Sequence, residues 1–393
     1  MKVFSSFEIS SKDGRSIMAL MALQSLAFMP MTLAPLYLSA LMSSFGLSET
    51  HAGGLLSAEF LVLALTSVSI GSVINRFSWR HLILLSGILL TSGTGVSTLV
   101  SDAGSYLFIV ARAVAAIGSG IAMAVAMAAI ANMRNPDQAY GIIGAGGLVL
   151  AATVLALCGT ALDAGGIQYL FALLLLVAIV LPIPALVAGI SNSSKTEEEP
   201  DDHSTPVPAL GVRTAYAVVA LLIGLVINIT WTYSHHLGTL TSLSPTNVVF
   251  WLGIGLYCSI PGNLIAGWLG LRFGRKPYFV SLLALGISTS LLFIWQNPDN
   301  FVQGQVVFGL AYGVVMPCMF GFAAVLDREG RWAAIISGIF MFSTVLSPLI
   351  GGYLFQHLDH KDTGALIVAT NVLAGTVLAF IQRSMRSRAR GLE

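Results

Sequence analysis

The sequence predicts an all-α membrane protein with twelve transmembrane helices in two pseudo-symmetric six-helix halves. Of its 393 residues, 56% are hydrophobic and only 9% are charged, whereas soluble domains carry about 25% charged residues. The apolar residues fall into twelve long runs, and a basic segment between two of them recurs in the second half of the chain. Most of the surface must therefore face a lipid bilayer.

The twelve apolar runs are numbered here as spans 1 to 12 in chain order. Crossing about 30 Å of hydrocarbon takes about 20 helical residues, and each run is close to that length. The first run is too long for the core of a signal peptide, so it counts as a span. The predicted spans are residues 16–41, 53–74, 82–100, 106–131, 140–162, 169–190, 214–233, 248–269, 278–295, 301–326, 332–354 and 364–381.

The cations predict the orientation of these spans. If the N-terminus is cytoplasmic, 17 of the 19 Lys and Arg residues lie in cytoplasmic segments, and Lys361 and Arg112 are the exceptions. Cytoplasmic loops carry an excess of Lys and Arg. We therefore expect a multi-pass protein of a bacterial-type inner membrane, with both termini in the cytoplasm.

Residues 191–212 separate the two halves. The segment is polar, acidic and proline-bearing, so it cannot form a core and is expected to be a mobile cytoplasmic linker. The predicted organisation is an N-terminal half at 1–190, the linker at 191–212 and a C-terminal half at 213–393. A docking or regulatory role for the acidic run is the alternative.

A basic turn recurs 196 residues apart, as GSVINRFSWR at 71–80 and GWLGLRFGRK at 267–276. It resembles the loop signature G-x-L-x-D-R-x-G-R-[RK] of the major facilitator superfamily, and with the two six-helix halves the resemblance extends over essentially the whole chain. Two departures stand out. The acidic position is Asn75 in one copy and Leu271 in the other, and Ser78 replaces the second glycine of the first copy.

The resemblance implies that these turns gate the cytoplasmic side. The glycines would allow close helix packing, and the cations would bind carbonyls at the negative end of a neighbouring helix. Without the acid, the ion-pair latch of the family is missing, so we expect a weaker lock. Simple anchoring by positive charge is the alternative. The gating residues are Gly71, Asn75, Arg76, Arg80, Gly267, Arg272, Gly274, Arg275 and Lys276.

Two ionisable residues, Glu59 and Arg112, lie inside predicted spans. Each lies about six residues, or about 9 Å, from the outer end of its span, where a charge costs about 2.5–3.5 kcal/mol. We expect a charge pair in which Glu59 is the proton-coupling site and Arg112 is its partner or a substrate anchor. Arg112 also resembles an arginine that proton-linked family members carry in helix four. A static ion pair is the alternative.

Span 11 contains Pro348, Gly351 and Gly352 in the segment SPLIGG. Proline interrupts the helical hydrogen bonds, and glycine permits close approach, so the segment predicts a helix bend. It resembles the Gly-Pro-x-x-Gly-Gly element that antiporters of the family carry in helix five. Span 5 of this chain has no proline, so the element favours export only slightly.

A transport site is expected near the membrane midplane between the halves. The polar and aromatic candidates for substrate binding are Gln24, Asn228, Trp231, Tyr257, Asn263, Gln305, Tyr312 and Ser343. As a set they favour an organic solute with hydrogen-bonding groups and some apolar or aromatic surface. Each one alone is more typical of helix packing.

The remaining polar residues predict no chemistry. Five histidines fall on the expected outer side and are predicted to be solvated loop residues: His51, His235, His236, His357 and His360. Their spacing fits no metal site. The sequence has no phosphate-binding Gly-Lys-Ser/Thr loop and no nucleophile beside a base, so neither an enzyme nor a cofactor is expected. The charges are too scattered for nucleic-acid binding.

The predicted function is secondary active transport of a small organic solute by alternating access, with proton coupling. Export of a drug-like compound or metabolite is slightly favoured. The alternatives are proton-coupled uptake of a nutrient such as an organic acid or sugar, and a membrane sensor that has kept the fold without transport. The expected partners are the solute, protons and the lipid bilayer, and the expected state is a monomer.

Overall fold

A computed structural model describes residues 11–100, 102–133, 136–190, 210–326 and 331–390, and the regular structure in these ranges is helical. Span 1 consists of Ser11–Thr32 and Ala34–Phe45, and spans 2 to 4 are Glu49–Val73, Trp79–Leu99 and Tyr106–Ala131. Spans 5 and 6 share the helix Pro136–Val180, after which Pro182–Ala188 follows. Spans 7 to 12 are Leu210–Thr239, Pro245–Phe273, Lys276–Thr289 with the π-helical turn Ser290–Ile294, Pro298–Leu326, Arg331–His357 and His360–Arg390.

The prediction of twelve spans is confirmed. By length and composition, ten described helices can cross a membrane, or eleven when the bent pair that forms span 1 is counted as one. One of the ten, Ala139–Ala188, has 50 residues, about twice the length that a single pass needs. Its backbone leaves the helical region at Gly165 and at Gly166, where φ is 69°. Glycine adopts this positive φ without steric cost, and the break makes the segment two passes.

The described chain divides into two compact units. The first unit lies within Met1–Thr32, Val62–Ala151 and Gln168–Glu197, and the second lies within Leu33–Leu61, Ala152–Ile167 and Glu198–Glu393. The predicted boundaries at 190 and 213 stay predictions. Residues 191–209 of the predicted linker lie outside the described residues, and Leu210 begins the helix of span 7.

Small residues bring the helices of the first unit together. A Cβ added to Gly93 or Gly118 would collide with the facing backbone between spans 3 and 4. The hydroxyl of Ser86 donates to the carbonyl of Gly118 at 2.8 Å. This is the close packing that glycine and serine allow between membrane helices, where the hydrophobic effect supplies little attraction.

The second unit uses the same device between spans 8 and 10. A Cβ on Gly309 would collide with the carbonyl of Gly255, and a Cβ on Gly313 would collide with the carbonyl of Ser259. Near the N-terminal end of span 7, the buried Tyr216 hydroxyl donates to the carbonyl of Met319 in span 10 at 2.7 Å. Spans 8 and 10 are therefore closely packed, and a buried hydrogen bond joins span 7 to span 10.

Candidate functional site

Glu59 and Arg112 are both buried, as their predicted role requires, with 3% and 7% of their surfaces exposed. Glu59 belongs to the second unit and Arg112 to the first, so the predicted charge pair stays a prediction. The Arg112 guanidinium lies 5.4 Å from the centre of the Phe171 ring, and Phe171 meets Phe108 edge to face at 5.8 Å. Arg112 is therefore held against an aromatic wall within the first unit.

The two copies of the basic turn differ in backbone. In the first, a short 3-10 helix spans Ile74–Arg76 and the chain becomes extended at Phe77. In the second, span 8 continues to Phe273 and ends at Gly274, whose φ is 62°. Glycine is needed only in this second copy, which explains why Ser78 is tolerated in the first.

The gating residues are mostly exposed: Gly71, Asn75, Arg76, Arg80, Arg272, Gly274 and Lys276. Arg275 is half-buried, with its guanidinium 4.2 Å from the centre of the Phe322 ring and a nitrogen 3.9 Å from the Met385 sulfur. In the described part of the chain, no atom lies within 4 Å of a Cβ added to Gly71. The close packing and the gating role predicted for these residues stay predictions.

Pro348, Gly351 and Gly352 lie where span 11 meets the start of span 2 and the end of span 7. The Tyr233 hydroxyl donates to the Pro348 carbonyl at 2.6 Å, and the amide of Leu349 donates to the Ser57 hydroxyl at 3.0 Å. A Cβ on Gly53 would collide with the Pro348 carbonyl, and one on Gly352 would collide with the carbonyl of Glu49. We call this the span 2–7–11 junction: Gly53, Ser57, Tyr233, Pro348, Leu349, Gly351 and Gly352.

Sequence reasoning identified the proline and glycines of this junction as a helix bend, and it missed their partners. Tyr233, Gly53 and Ser57 were not among the predicted site residues. The glycine pair Gly53-Gly54 was a usable signal, because glycine in the middle of a helix is costly unless something must approach closely.

Seven of the eight predicted substrate-binding residues lie in the second unit, and Gln24 lies in the first. Asn228 donates to its own helix at Gly224 and to the Ser343 hydroxyl at 3.3 Å, which links spans 7 and 11. Asn263 donates to the Ser259 carbonyl one turn earlier. The Tyr257 hydroxyl lies 3.4 Å from that of Thr153. These polar groups are already used by the protein in this conformation.

Three aromatic rings form a ladder between spans 7 and 10. Trp231 stacks on Phe308 with centroids 6.1 Å apart and planes 10° apart. Phe308 stacks on Tyr312, one turn further, at 6.3 Å and 11°. The predicted residues Trp231 and Tyr312 are thus joined through Phe308, which sequence reasoning did not include.

The prediction of five solvated loop histidines is wrong for His235. Span 7 continues past the predicted end at Tyr233 to Thr239, so His235 and His236 lie within the helix. Only 3% of the His235 surface is exposed, and in the described chain neither of its ring nitrogens has a hydrogen-bond partner. The amide nitrogen and oxygen of Gln305, which is fully buried, also have none among the described residues.

Comparison with known proteins places this architecture in a family. The model of the Major Facilitator Superfamily matches residues 20–255 and 214–391. The chain belongs to the Major Facilitator Superfamily. It is therefore a multi-pass membrane protein of a transporter family, and the resemblance of the chain to this superfamily is confirmed.

Two curated members of the superfamily are similar over part of their length. The bicyclomycin resistance protein homolog of Haemophilus influenzae is 28% identical over 145 residues, or 35% of this chain and 36% of the relative. The tetracenomycin C resistance and export protein of Streptomyces glaucescens is 27% identical over 147 residues, or 35% of this chain and 27% of the relative. Each match thus spans about a third of this chain, and the matches cover about a third of the first relative and about a quarter of the second.

Solved structures of the superfamily share the fold. The D-xylose-proton symporter superimposes with a TM-score of 0.70 at 16% identity, covering 92% of this chain and 96% of the symporter. The nucleoside transporter NupG gives a TM-score of 0.71 at 13% identity, covering 93% and 98%. At such low identity the agreement shows a common architecture and does not define a substrate.

Proposed function

We propose that this superfamily member is a proton-coupled secondary transporter of the bacterial inner membrane, acting as a monomer on a small organic solute by alternating access. Export of a drug-like compound or metabolite is favoured over uptake. The observation that carries the proposal is Glu59, the only carboxylate with a buried side chain among the described residues. The names of the two curated relatives, both resistance proteins, favour export.

Glu59 suits proton coupling because of its surroundings. A carboxylate inside a membrane protein costs free energy unless it is neutralised by a proton or by a partner. If access to Glu59 alternates between the two sides of the membrane, binding and release of a proton occur on different sides. Arg112 then serves as the positive partner or as the anchor of a substrate group. The proposal thus gives Glu59 and Arg112 the same roles as the sequence analysis did.

The test is a substrate screen in inverted vesicles with and without a proton gradient, followed by Glu59→Gln. Glutamine keeps the size and hydrogen bonding of the side chain but cannot carry the proton. We expect Glu59→Gln to abolish gradient-driven accumulation, at least a hundredfold, while exchange of labelled for unlabelled solute continues. Glu49→Gln, on the same helix, is the matched control and should keep at least half of the driven flux.

Each outcome is informative about the proposal. Driven accumulation that survives Glu59→Gln would contradict proton coupling at this residue. Accumulation in right-side-out vesicles under an inward proton gradient, with none in inverted vesicles, would replace export by uptake. Binding without flux in either orientation would identify a sensor. Loss of exchange together with driven flux would place Glu59 in substrate binding and overturn its coupling role.

A further inference from the structure

Two contacts show which residues of span 7 lie opposite which residues of span 10. Trp231 stacks on Phe308, and a Cβ on Gly238 would touch the ring of Phe301. Rising residue numbers on span 7 therefore meet falling numbers on span 10, and the two helices are antiparallel along this stretch.

His235 and Gln305 lie at the same level of this interface. At about 3.6 residues per turn, residues three or four apart share a helix face. His235 lies between Trp231 and Gly238 on span 7, and Gln305 lies between Phe301 and Phe308 on span 10. The position of the Gln305 carboxamide is also marked by Gly255 of span 8, because a Cβ there would lie 3.4 Å from the carboxamide oxygen.

Among the described residues, four polar atoms at this level have no hydrogen-bond partner. They are both ring nitrogens of His235 and both carboxamide atoms of Gln305, in side chains that are 3% and 0% exposed. Buried polar groups almost always have hydrogen-bond partners, so an exception calls for a cause. Helix packing does not supply one, because apolar side chains of the same size would pack at lower cost.

We propose that His235 and Gln305 form a recognition site for the transported solute, which is a neutral molecule with a cis-amide or lactam edge beside a flat apolar group. The proposal rests on the transport function proposed above. It adds a histidine that the sequence placed in a loop, and it specifies a chemical class of substrate.

The chemistry of the two side chains selects this class. A primary carboxamide presents an N–H donor and a C=O acceptor on one edge. A cis-amide presents the complementary pair, so it can form two parallel hydrogen bonds with Gln305. The neutral imidazole of His235 adds a donor and an acceptor. The neutral imidazole and the carboxamide carry no positive charge for an anionic ligand. Anions are therefore disfavoured.

The aromatic ladder supplies the apolar surface beside this polar pair. Trp231, Phe308 and Tyr312 have nearly parallel rings, with interplanar angles of 10° and 11°. Flat rings favour stacking with a planar or aromatic group of the ligand. A cyclic dipeptide with one aromatic side chain combines the cis-amide edge with such a group and serves as the probe.

The experiment measures the thermal unfolding of the purified full-length protein in detergent with increasing concentrations of cyclo(Gly-Phe). We expect a saturable rise in Tm with the wild type, because a ligand that binds the folded state stabilises it. The N,N′-dimethylated cyclic dipeptide, which lacks both N–H donors, should give no shift. His235→Phe and Gln305→Leu should each weaken the apparent affinity at least tenfold.

Matched controls separate loss of the site from damage to the fold. His357→Phe and Gln296→Leu make the same chemical changes elsewhere in the second unit and should keep the ligand-induced shift. Without ligand, Gln305→Leu should unfold at the wild-type temperature or higher, because it removes two unpartnered polar atoms. A variant that folds well yet does not respond to the probe supports the proposal.

The contrary results are distinct from those for the transport function. A wild-type protein with no Tm shift up to about 10 mM probe, roughly ten times the upper end of ordinary KM values near 1 mM, would overturn the ligand class. An undiminished shift in both His235→Phe and Gln305→Leu would overturn the site. Neither result affects gradient-driven flux through Glu59, whose absence from wild-type vesicles would overturn the transport proposal instead.

Discussion

Two faces of span 7, only two residues apart in sequence, treat buried polar groups in opposite ways. On one face, Tyr233 is fully buried and donates to the Pro348 carbonyl at 2.6 Å. About 200° around the helix, His235 is equally buried, and its ring nitrogens have no partner in the described chain. The buried polar group on the Tyr233 face has its hydrogen bond within the protein. The buried polar groups on the His235 face have no hydrogen-bond partner among the described residues.

The energetics explain why this difference matters. A satisfied hydrogen bond contributes about 0.5–1.5 kcal/mol to folding, whereas each buried unsatisfied group costs about 1–3 kcal/mol. Removing a partner from the span 2–7–11 junction should therefore destabilise the protein. Removing the unpartnered atoms of His235 and Gln305 should not. Substitutions on the two faces are expected to have opposite signs.

The largest expected effect is that of Gly53→Ala. The new Cβ would overlap the Pro348 carbonyl, and moving the backbone of span 11 away costs about 1–3 kcal/mol. The neighbouring Gly54 is a matched control, because the nearest atom to a Cβ there is a Leu349 methyl group at 3.7 Å. Thermal unfolding should show a clear drop in Tm for Gly53→Ala and little change for Gly54→Ala. Equal behaviour of the two variants would contradict the close contact.

Tyr233→Phe is expected to have a smaller effect. The ring keeps its stacking on Phe355 at 4.7 Å, and the loss of the hydroxyl removes a buried bond worth about 1 kcal/mol. The Tm should fall, while that of Tyr353→Phe should not, because Tyr353 is 57% exposed. In contrast to Tyr233→Phe, the variant His235→Phe on the other face of span 7 should leave the Tm unchanged or raise it. A fall of similar size for Tyr233→Phe and His235→Phe would remove the distinction between the faces.

The class of fold could be predicted from the sequence because it follows from solvent chemistry. Twelve apolar runs and the repeated basic turn are properties of the chain alone, and the bilayer admits few other solutions for them. The count was confirmed even where the helix of spans 5 and 6 runs on, because Gly165 and Gly166 break it between the two predicted runs.

The end of span 7 shows where such reasoning stops. The apolar run ends at Tyr233, and the following Ser-His-His was interpreted as a loop, but the helix continues to Thr239. Polarity marks the membrane boundary only on surfaces that face lipid. His235 is shielded by neighbouring helices instead, and a sequence does not reveal which helices those are.

The close contacts of the span 2–7–11 junction could not be predicted from the sequence either, because the sequence does not show which helices are neighbours. Gly53 and Gly352 are separated by most of the chain, and each is ordinary until its partner backbone is known. Of the predicted substrate residues, Asn228 and Ser343 bond to each other, while the Gln305 carboxamide has no partner among the described residues. Residue type identified the candidates, and only packing could distinguish between them.

The smallest expected effect concerns two serine hydrogen bonds near the span 2–7–11 junction, one between spans and one within a single helix. Ser57 accepts from the Leu349 amide across two spans at 3.0 Å, whereas the Ser347 hydroxyl donates to the Ser343 carbonyl within its own helix. Ser57→Ala should cost about 0.5–1 kcal/mol, because it removes the acceptor of a hydrogen bond that is only partly buried. Ser347→Ala should cost less, since the carbonyl it releases is still within the helical hydrogen-bond ladder. Chemical unfolding of both variants measures the difference, and a larger loss for Ser347→Ala would mean that the local bond stabilises span 11 more than its contact with span 2.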